Sequence, residues 1–345
     1  MDCYRCKQNA FSVEKTNLFE TKNQKTHITT RTIISSQQMN KIPLQKDCHN
    51  LPGNVISLQR MNKTLFVLGA PRSGTTLLVN FLAEHQSKIF GTAYESQFYT
   101  RVKRQPYALD NYINDEYFAH VFTVEELTKL FSTSSSHQEL FRNAIKLKLA
   151  ESNKNVFVEK SPMHTLFYKE ILNDFDNPEF IIINRNPFSN IQSIAFTKWI
   201  SLPSDALPGK LKSNKGIRYF FSTFILYKYQ KVVKELSQHS KCILVLSYED
   251  IVLEKINVKQ ELENVLGFEL DPLYVPRPYS DAVSHTNRVL DKSRIDDYKN
   301  VMPKIVQRYI KALFAPENFS DQLIRIPIVL IYELMLLGIK LTGKK

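Results

Sequence analysis

A short glycine-containing stretch between two apolar runs has the residue types of an anion-binding loop. It extends from Gly69 to Thr76, and the apolar residues Thr64 to Leu68 before it predict a buried strand. The apolar residues after it recur at helical spacing. A loop between a strand and a helix N-terminus directs free backbone N–H groups and the positive end of the helix dipole at one point. We therefore expect it to bind phosphate or sulfate through Arg72, Ser73, Gly74, Thr75 and Thr76.

The loop departs from an ordinary nucleotide phosphate loop at one position. The spacing Gly69-x4-Gly74-Thr75-Thr76 fits that motif, but Thr75 occupies the place of its lysine. Because that lysine reaches the terminal phosphates of a nucleoside triphosphate, its absence argues against a kinase or GTPase. A phosphate-loop kinase or NTPase and a non-catalytic nucleotide-binding protein remain the alternatives to a group-transfer enzyme.

Two more candidates follow predicted strands. Glu95 comes just after the predicted strand Lys88–Ala93, where parallel sheets bind ligands, and is a candidate general base or a surface glutamate. Lys160 follows the strand Asn155–Glu159, and a rigidly placed ammonium there would stabilise charge that develops in group transfer. His164 is interpreted as structural, with a role as the base left as the alternative.

An arginine and a serine form a second anion-binding candidate. Arg185 follows the strand Glu179–Asn184, whose continuous apolar core predicts the centre of a parallel sheet. Pro187 predicts a helix start. Ser193 lies eight residues after Arg185, so the guanidinium and the hydroxyl can converge on one phosphate.

The apolar pattern alternates between strand and helix along the chain. A last strand is predicted at Cys242–Leu246, which gives an α/β fold with a phosphate-loop-like parallel sheet flanked by helices. Three regions follow from composition: a polar, partly flexible extension over 1–63, a catalytic domain over 64–315 and an apolar helical segment over 316–345. Further helices are predicted at Thr123–Phe131, Gln138–Ala150, Ile217–Ser237 and Lys299–Ala315.

The composition narrows the function classes. The 345 residues carry 46 Lys and Arg against 34 Asp and Glu, a net charge of +12 that suits an anionic ligand. The sequence contains no dense basic run of the kind that predicts nucleic-acid binding. The four cysteines form neither a disulfide framework nor a recognisable zinc module, so no metal is expected. Met1–Asn9 is polar without a signal-peptide core, which predicts a cytoplasmic protein.

Three further segments have open interpretations. Eight aromatic residues from Tyr94 to Phe122 are expected to pack a lid or helical insertion. The alternative is that they line a pocket and contact the acceptor substrate. The basic residues within 285–294 either close over an anion or form a solvated surface. Ile326–Ile339 is apolar but, at fourteen residues, is predicted to be too short for a membrane span. We expect it to pack on the domain, with docking on a membrane or partner as the alternative.

The first loop and the Arg185-x7-Ser193 pair together resemble the sulfotransferases that use 3′-phosphoadenosine 5′-phosphosulfate (PAPS). The segment Ser247-Tyr248-Glu249-Asp250-Ile251 is also similar to theirs, and the resemblance covers about Thr64 to Leu266. It implies the sulfotransferase fold and PAPS as sulfuryl donor, without a metal. The 5′-phosphosulfate would bind the first loop, and Arg185 with Ser193 would bind the 3′-phosphate.

The resemblance also bears on the acceptor side. Glu95 matches the catalytic glutamate of the carbohydrate and tyrosylprotein branches. Cytosolic small-molecule members instead carry Lys-Thr-His, whereas this chain has Lys160-Ser161-Pro162 with proline at the histidine. The glycine-containing cofactor loop of that branch is not recognisable, so Arg288 and Lys292 are only conjectural cofactor ligands. The resemblance implies transfer to an acceptor hydroxyl or amine, a carbohydrate-like hydroxyl first.

Overall fold

The structure is a computed structural model that describes residues 63–83, 86–198, 200–273, 292 and 295–342. The polar extension predicted over 1–63 lies outside the described residues except for Lys63, which begins the first strand. His285, Arg288 and Arg294 of the predicted basic segment also lie outside them.

Five parallel strands form the sheet in the described part of the chain, in the order β2-β3-β1-β4-β5. Their bounds are β1 Lys63–Leu68, β2 Ile89–Gly91, β3 Val156–Lys160, β4 Pro178–Asn184 and β5 Cys242–Ser247. Helices flank this sheet, so the predicted α/β architecture is confirmed. β1 occupies the centre, and β4, predicted to be central, lies beside it.

Helices connect the strands and extend the domain. The α-helices are α1 Thr75–Ala83, α2 Leu109–Ile113, α3 Glu116–Val121, α4 Val124–Ser132, α5 His137–Ser152, α6 Tyr168–Asp174, α7 Pro187–Phe196, α8 Lys215–Leu236, α9 Tyr248–Val252, α10 Val258–Leu266, α11 Tyr298–Val301, α12 Lys304–Phe314 and α13 Phe319–Thr342. Shorter 3₁₀ helices span Val102–Arg104, Pro162–Phe167, Pro203–Ala206 and Gly209–Leu211.

The inner strands β3, β1 and β4 are largely buried on both faces, as is usual in a parallel sheet. Alternate residues of β1 enter different cores: Phe66 and Leu68 pack on one side, whereas Leu65 and Val67 pack on the other. This alternation follows from the two-residue period of a strand. Because both faces are buried, the sequences of the central strands are continuous apolar runs.

The strand register brings the candidate segments to one edge of the sheet. Val67 pairs with Lys160 of β3, and Leu68 pairs with Ile182 of β4. The loop after β1 therefore starts beside the ends of both neighbouring strands. Since the chain leaves β1 toward β2 and later crosses to β4, this edge is also the point where the strand order reverses, a common place for ligands.

The single helix predicted over Lys299–Ala315 was wrong. The structure has α11 and α12, separated at Met302, whose φ of −88° and ψ of 128° are extended. Pro303 explains the break, because proline has no N–H to donate and its ring disfavours a helical residue before it.

The length predicted for the C-terminal apolar segment was also wrong. Helix α13 has 24 residues and starts seven residues before the predicted Ile326, with Asn318 accepting a hydrogen bond from the Asp321 N–H at 2.9 Å. Residues Phe319–Ile339 have a mean hydropathy of 1.8, so by length and composition alone they could cross a membrane. One face packs on the domain as expected, while the rest is exposed.

Candidate active site

Two glycines give the loop after β1 its shape. Gly69 has a φ of +155°, and a Cβ there would lie 2.4 Å from the carbonyl oxygen of Ile183. Gly74 has a φ of +106°, and its Cβ would lie 2.5 Å from the Tyr248 ring. Any side chain at either position would collide with β4 or with the start of α9 and would adopt a strained φ. The loop thus packs closely against the ends of β4 and β5.

A threonine that the sequence analysis did not single out anchors the start of the loop by hydrogen bonds. The Thr165 hydroxyl donates to the Gly69 carbonyl and accepts from the Gly69 N–H, both at 2.9 Å. Thr165 is fully buried, so these bonds are shielded from water. The start of the loop is therefore fixed to the segment that follows β3.

Ser73 gives the loop a buried polar atom that forms no hydrogen bond with the described residues. Its side chain is only 1% exposed, and its Oγ has no hydrogen-bond partner among the described residues. A buried hydroxyl without a partner is costly, and such atoms often await a ligand. Ser73 precedes the N-terminus of α1, where Thr75 and Thr76 begin the helix, so the donor set fits an anion.

Arg72, Arg185 and Ser193 come together beside the loop. The Arg72 Nε donates to Ser193 Oγ at 3.1 Å, and Arg185 donates to the Arg72 carbonyl at 3.1 Å. Arg72 has a φ of +67°, a left-handed conformation that non-glycine residues rarely adopt. The structure thus joins Arg72 to Arg185 and to Ser193, which lie 113 and 121 positions further along the chain.

The end of β5 holds Arg185 in place. The Arg185 guanidinium lies 4.6 Å from the centre of the Tyr248 ring, a cation–π contact. The Glu249 carboxylate accepts from the Asn186 N–H at 3.0 Å, and Ser247 caps α9 through the Asp250 N–H. The segment that resembles the sulfotransferases therefore supports the turn after β4.

Glu95 and Lys160 form an ion pair. Lys160 Nζ lies 2.8 Å from Glu95 Oε1, with the lysine side chain 2% exposed and the glutamate side chain 34% exposed. The lysine is therefore fixed in the protein, while the carboxylate remains open to solvent or an acceptor. The structure places the two predicted catalytic groups in direct contact. Lys160 pairs with Val67 of β1, two residues before the loop begins.

A buried carboxylate organises the segments that carry this pair. Glu159 Oε1 accepts from the Ser96 hydroxyl at 2.6 Å and the Ser161 hydroxyl at 2.7 Å. Its Oε2 accepts from His164 Nδ1 at 2.7 Å. Ser96 follows Glu95, and Ser161 follows Lys160, so Glu159 links the segments after β2 and β3.

The Glu159 network also gives His164 its role. His164 is fully buried, and the Tyr99 N–H points at its Nε2 from 3.5 Å. Both ring nitrogens therefore face protein groups, which supports the structural interpretation. Burial raises the pKa of Glu159, but the adjacent His164 and the hydrogen bonds from His164, Ser96 and Ser161 outweigh it, so the pKa lies below its usual range.

The aromatic region from Tyr94 to Phe122 mainly packs the core. Six of its eight aromatic residues are buried: Phe98, Tyr99, Tyr112, Tyr117, Phe118 and Phe122. Tyr94, which precedes Glu95 in the sequence, is half-buried and packs on His120 with the ring centres 3.7 Å apart.

One other candidate can be placed. Lys292 forms a surface ion pair with Glu254 at 2.8 Å. Within the described ranges, no group of three or more His, Cys, Asp or Glu side chains has the geometry of a metal site.

Together, these features define a parallel α/β protein with a strand–loop–helix anion site, a second arginine beside it and an acid–lysine pair at the same sheet edge. A family model described as the sulfotransferase family matches residues 64–272, more than half of the chain. The chain belongs to the sulfotransferase family.

Several solved structures are also similar. The sulfotransferase domain of the Synechococcus PCC 7002 olefin synthase is 18% identical, with a TM-score of 0.49 over 75% of this chain and 96% of that one. The sulfotransferase domain of the curacin biosynthetic pathway is 20% identical, with a TM-score of 0.49 over 75% and 99%. Sulfotransferase STF1 from Mycobacterium tuberculosis H37Rv is 12% identical, with a TM-score of 0.36 over 61% and 69%. A search of curated protein sequences found no match.

Proposed function

We propose that this protein transfers a sulfuryl group from PAPS to an acceptor hydroxyl, with Glu95 as general base. The observation that carries the proposal is the convergence of Arg72, Arg185 and Ser193 beside the glycine loop. A nucleotide with phosphate groups at both its 3′ and 5′ positions needs two neighbouring cationic sites. Family membership argues against the kinase alternative.

The donor set fits PAPS by its chemistry. Ser73 offers a buried Oγ without a partner, and Gly74 lets the loop pack closely against the Tyr248 ring. The loop with Arg72, Thr75 and Thr76 would hold the 5′-phosphosulfate, and Arg185 with Ser193 would hold the 3′-phosphate. Such charge-assisted and bidentate contacts are the strong ones in anion recognition. Bound PAPS would supply the sulfuryl group.

The chain's own residues supply the proton transfer and charge stabilisation. Glu95 would accept the proton of the acceptor hydroxyl while that oxygen forms its bond to sulfur and the bond from sulfur to the 5′-phosphate oxygen breaks. Lys160, held 2.8 Å from Glu95, would balance the negative charge that passes to the 5′-phosphate oxygen. Holding Lys160 at the end of β3, in an ion pair with Glu95, saves the entropy of positioning the two groups during the reaction.

We propose a carbohydrate-like or other small hydroxyl compound as the acceptor. The exposed fraction of Glu95 leaves its carboxylate open to such a group, and Tyr94, which precedes it in the sequence, offers an aromatic surface. Sugars and small alcohols present hydroxyls that need a carboxylate base, and their apolar faces pack on aromatic rings.

Calorimetry with 3′-phosphoadenosine 5′-phosphate tests the donor site. We expect Arg185→Ala to weaken this ligand about 10- to 100-fold, because a hydrogen bond to a charged group contributes about 1.5–3 kcal/mol. AMP, which lacks the 3′-phosphate, should bind the native chain and the variant alike. Lys129→Ala, which removes one exposed positive charge from α4, is the matched control. An equal loss for both nucleotides would contradict the assignment.

A further inference from the structure

Helix α13 exposes a continuous apolar stripe along its whole length. Its residues, here called the outer stripe, follow each other at three- and four-residue steps and are 51–79% exposed: Phe319, Leu323, Ile326, Leu330, Leu334, Leu337 and Leu341. Residues at such spacing lie on one face of a helix. An exposed apolar surface of this extent exceeds what scattered surface residues explain and marks an interaction surface.

The opposite face of α13 is fixed to the domain. Ile328 and Tyr332 are buried against Phe224 of α8 and Leu313 of α12. The Tyr332 hydroxyl donates to the Phe220 carbonyl at 3.1 Å. Since Ile328 and Tyr332 lie about half a turn from Leu330, this packing directs the outer stripe away from the protein.

Both acidic residues of α13 form hydrogen bonds within the domain. Asp321 is 4% exposed and accepts from the Glu317 N–H at 3.1 Å. Glu333 accepts from the Tyr227 hydroxyl at 2.6 Å and from Lys231 at 2.8 Å. Lys231 thus pairs with Glu333 and Asp321 is buried, and neither acidic residue belongs to the outer stripe.

The surroundings of α13 are basic. Helix α12, which packs against it, contains no acidic residue and exposes Lys304 and Arg308. In the sequence, the segment also carries Arg325, Lys340, Lys344 and Lys345, and the whole chain has a net charge of +12. An apolar stripe on a helix whose neighbour α12 exposes cations matches a surface with acyl chains beneath anionic headgroups.

We propose that α13 docks the protein on an anionic membrane surface, with the outer stripe immersed at the boundary between headgroups and acyl chains. The helix lies along the surface for about 36 Å and stays packed on α8 and α12. Crossing the bilayer would strip the buried Tyr332 and the Glu333 contacts from the domain. A second copy of the chain is disfavoured as occupant, because two copies of a +12 chain repel each other.

Vesicle co-sedimentation of the full chain tests this proposal. The probes are vesicles of phosphatidylcholine alone and of phosphatidylcholine mixed with phosphatidylglycerol. We expect binding to the mixed vesicles, weaker binding at high salt, and little binding to the neutral ones. The double variant Leu330→Gln with Leu334→Gln should bind at least about tenfold more weakly, since it removes two apolar side chains from the bilayer without changing the charge.

The matched control is Val124→Gln, which changes an exposed apolar residue of α4 that is 54% exposed. It should bind vesicles like the native chain. Unchanged melting temperatures would show that both variants fold. Equal vesicle binding by the double variant and the native chain would overturn the proposal. A lipid-free dimer, detected by light scattering, would also overturn it if the double variant dissociates that dimer. So would protein that resists alkaline carbonate extraction, as a membrane-spanning helix does.

Discussion

Replacing Glu159 by glutamine probes the network that links the segments carrying Glu95 and Lys160. The amide keeps the size of the carboxylate but turns one of its acceptors into a donor. The amide N–H then faces either His164 Nδ1, at 2.7 Å, or the Ser96 and Ser161 hydroxyls, so one side of the network loses its acceptor. His164 cannot resolve this by moving its ring proton to Nε2, because that nitrogen faces the Tyr99 N–H. The site is fully buried, which makes an unsatisfied polar group costly.

The cost can be estimated from these contacts. Leaving a buried polar group without its hydrogen-bond partner costs about 1–3 kcal/mol, against a total stability of about 5–15 kcal/mol. For a domain of this size, each kcal/mol lowers the melting temperature by about 2–4 °C. We therefore expect Glu159→Gln to melt about 2–12 °C below the native chain at neutral pH.

The pH dependence of this difference has a definite sign. The folded pKa of Glu159 is lower than its unfolded value of about 4.5, so its contribution is present above that value and is lost as the pH falls through the folded pKa. The melting difference should stay constant near neutral pH and shrink under acid conditions. Thermal melts across this range measure it, with the exposed Glu125→Gln as a control that should match the native chain. A difference below about 1 kcal/mol at neutral pH, or one that grows in acid, would refute the reasoning.

The loop and the lysine give two further predictions. Gly74→Ala should abolish binding of 3′-phosphoadenosine 5′-phosphate in calorimetry and lower the melting temperature, because its Cβ would lie 2.5 Å from the Tyr248 ring; native affinity would contradict the close packing of the loop. Lys160→Met should keep that affinity within a few-fold but reduce kcat about 10²- to 10³-fold in a sulfuryl-transfer assay, the usual loss for a group that stabilises developing charge. An unchanged kcat would remove Lys160 from the mechanism.

The sequence predicted the parts of the site whose signals are local. The loop from Gly69 to Thr76 lies between a strand and a helix, and Arg185 lies in the turn before α7, the helix that contains Ser193. Their spacing in sequence therefore sets their spacing in space. The five strands were also predictable because parallel strands buried on both faces leave continuous apolar runs.

The Glu159 network could not be predicted in this way. Glu159 bonds to Ser96, 63 residues away, and within the sequence it looks like the polar end of an apolar strand. Only the pairing of β2 with β3 brings the two segments together. Thr165 was missed for the same reason, since its partner Gly69 is 96 residues away.

The errors in the C-terminal helices have different causes. Pro303 carries a strong local signal for a break, which the apolar pattern of the predicted helix masked. The first turns of α13 contain Ser320, Asp321 and Gln322, which interrupt the apolar pattern. The buried face that holds these turns against the domain is a tertiary effect, which a hydropathy pattern does not show.

The most direct test of the proposed function is a single-turnover measurement of sulfuryl transfer from labelled PAPS to a panel of carbohydrates and small alcohols, without metal, for the native chain and for Glu95→Gln. We expect the native chain to sulfate at least one hydroxyl compound. The variant should bind 3′-phosphoadenosine 5′-phosphate like the native chain but lose about 10²- to 10⁴-fold in rate, the range that a general base contributes. Native-like turnover by the variant would contradict the role of Glu95, and no transfer by the native chain to any acceptor would contradict the proposed function.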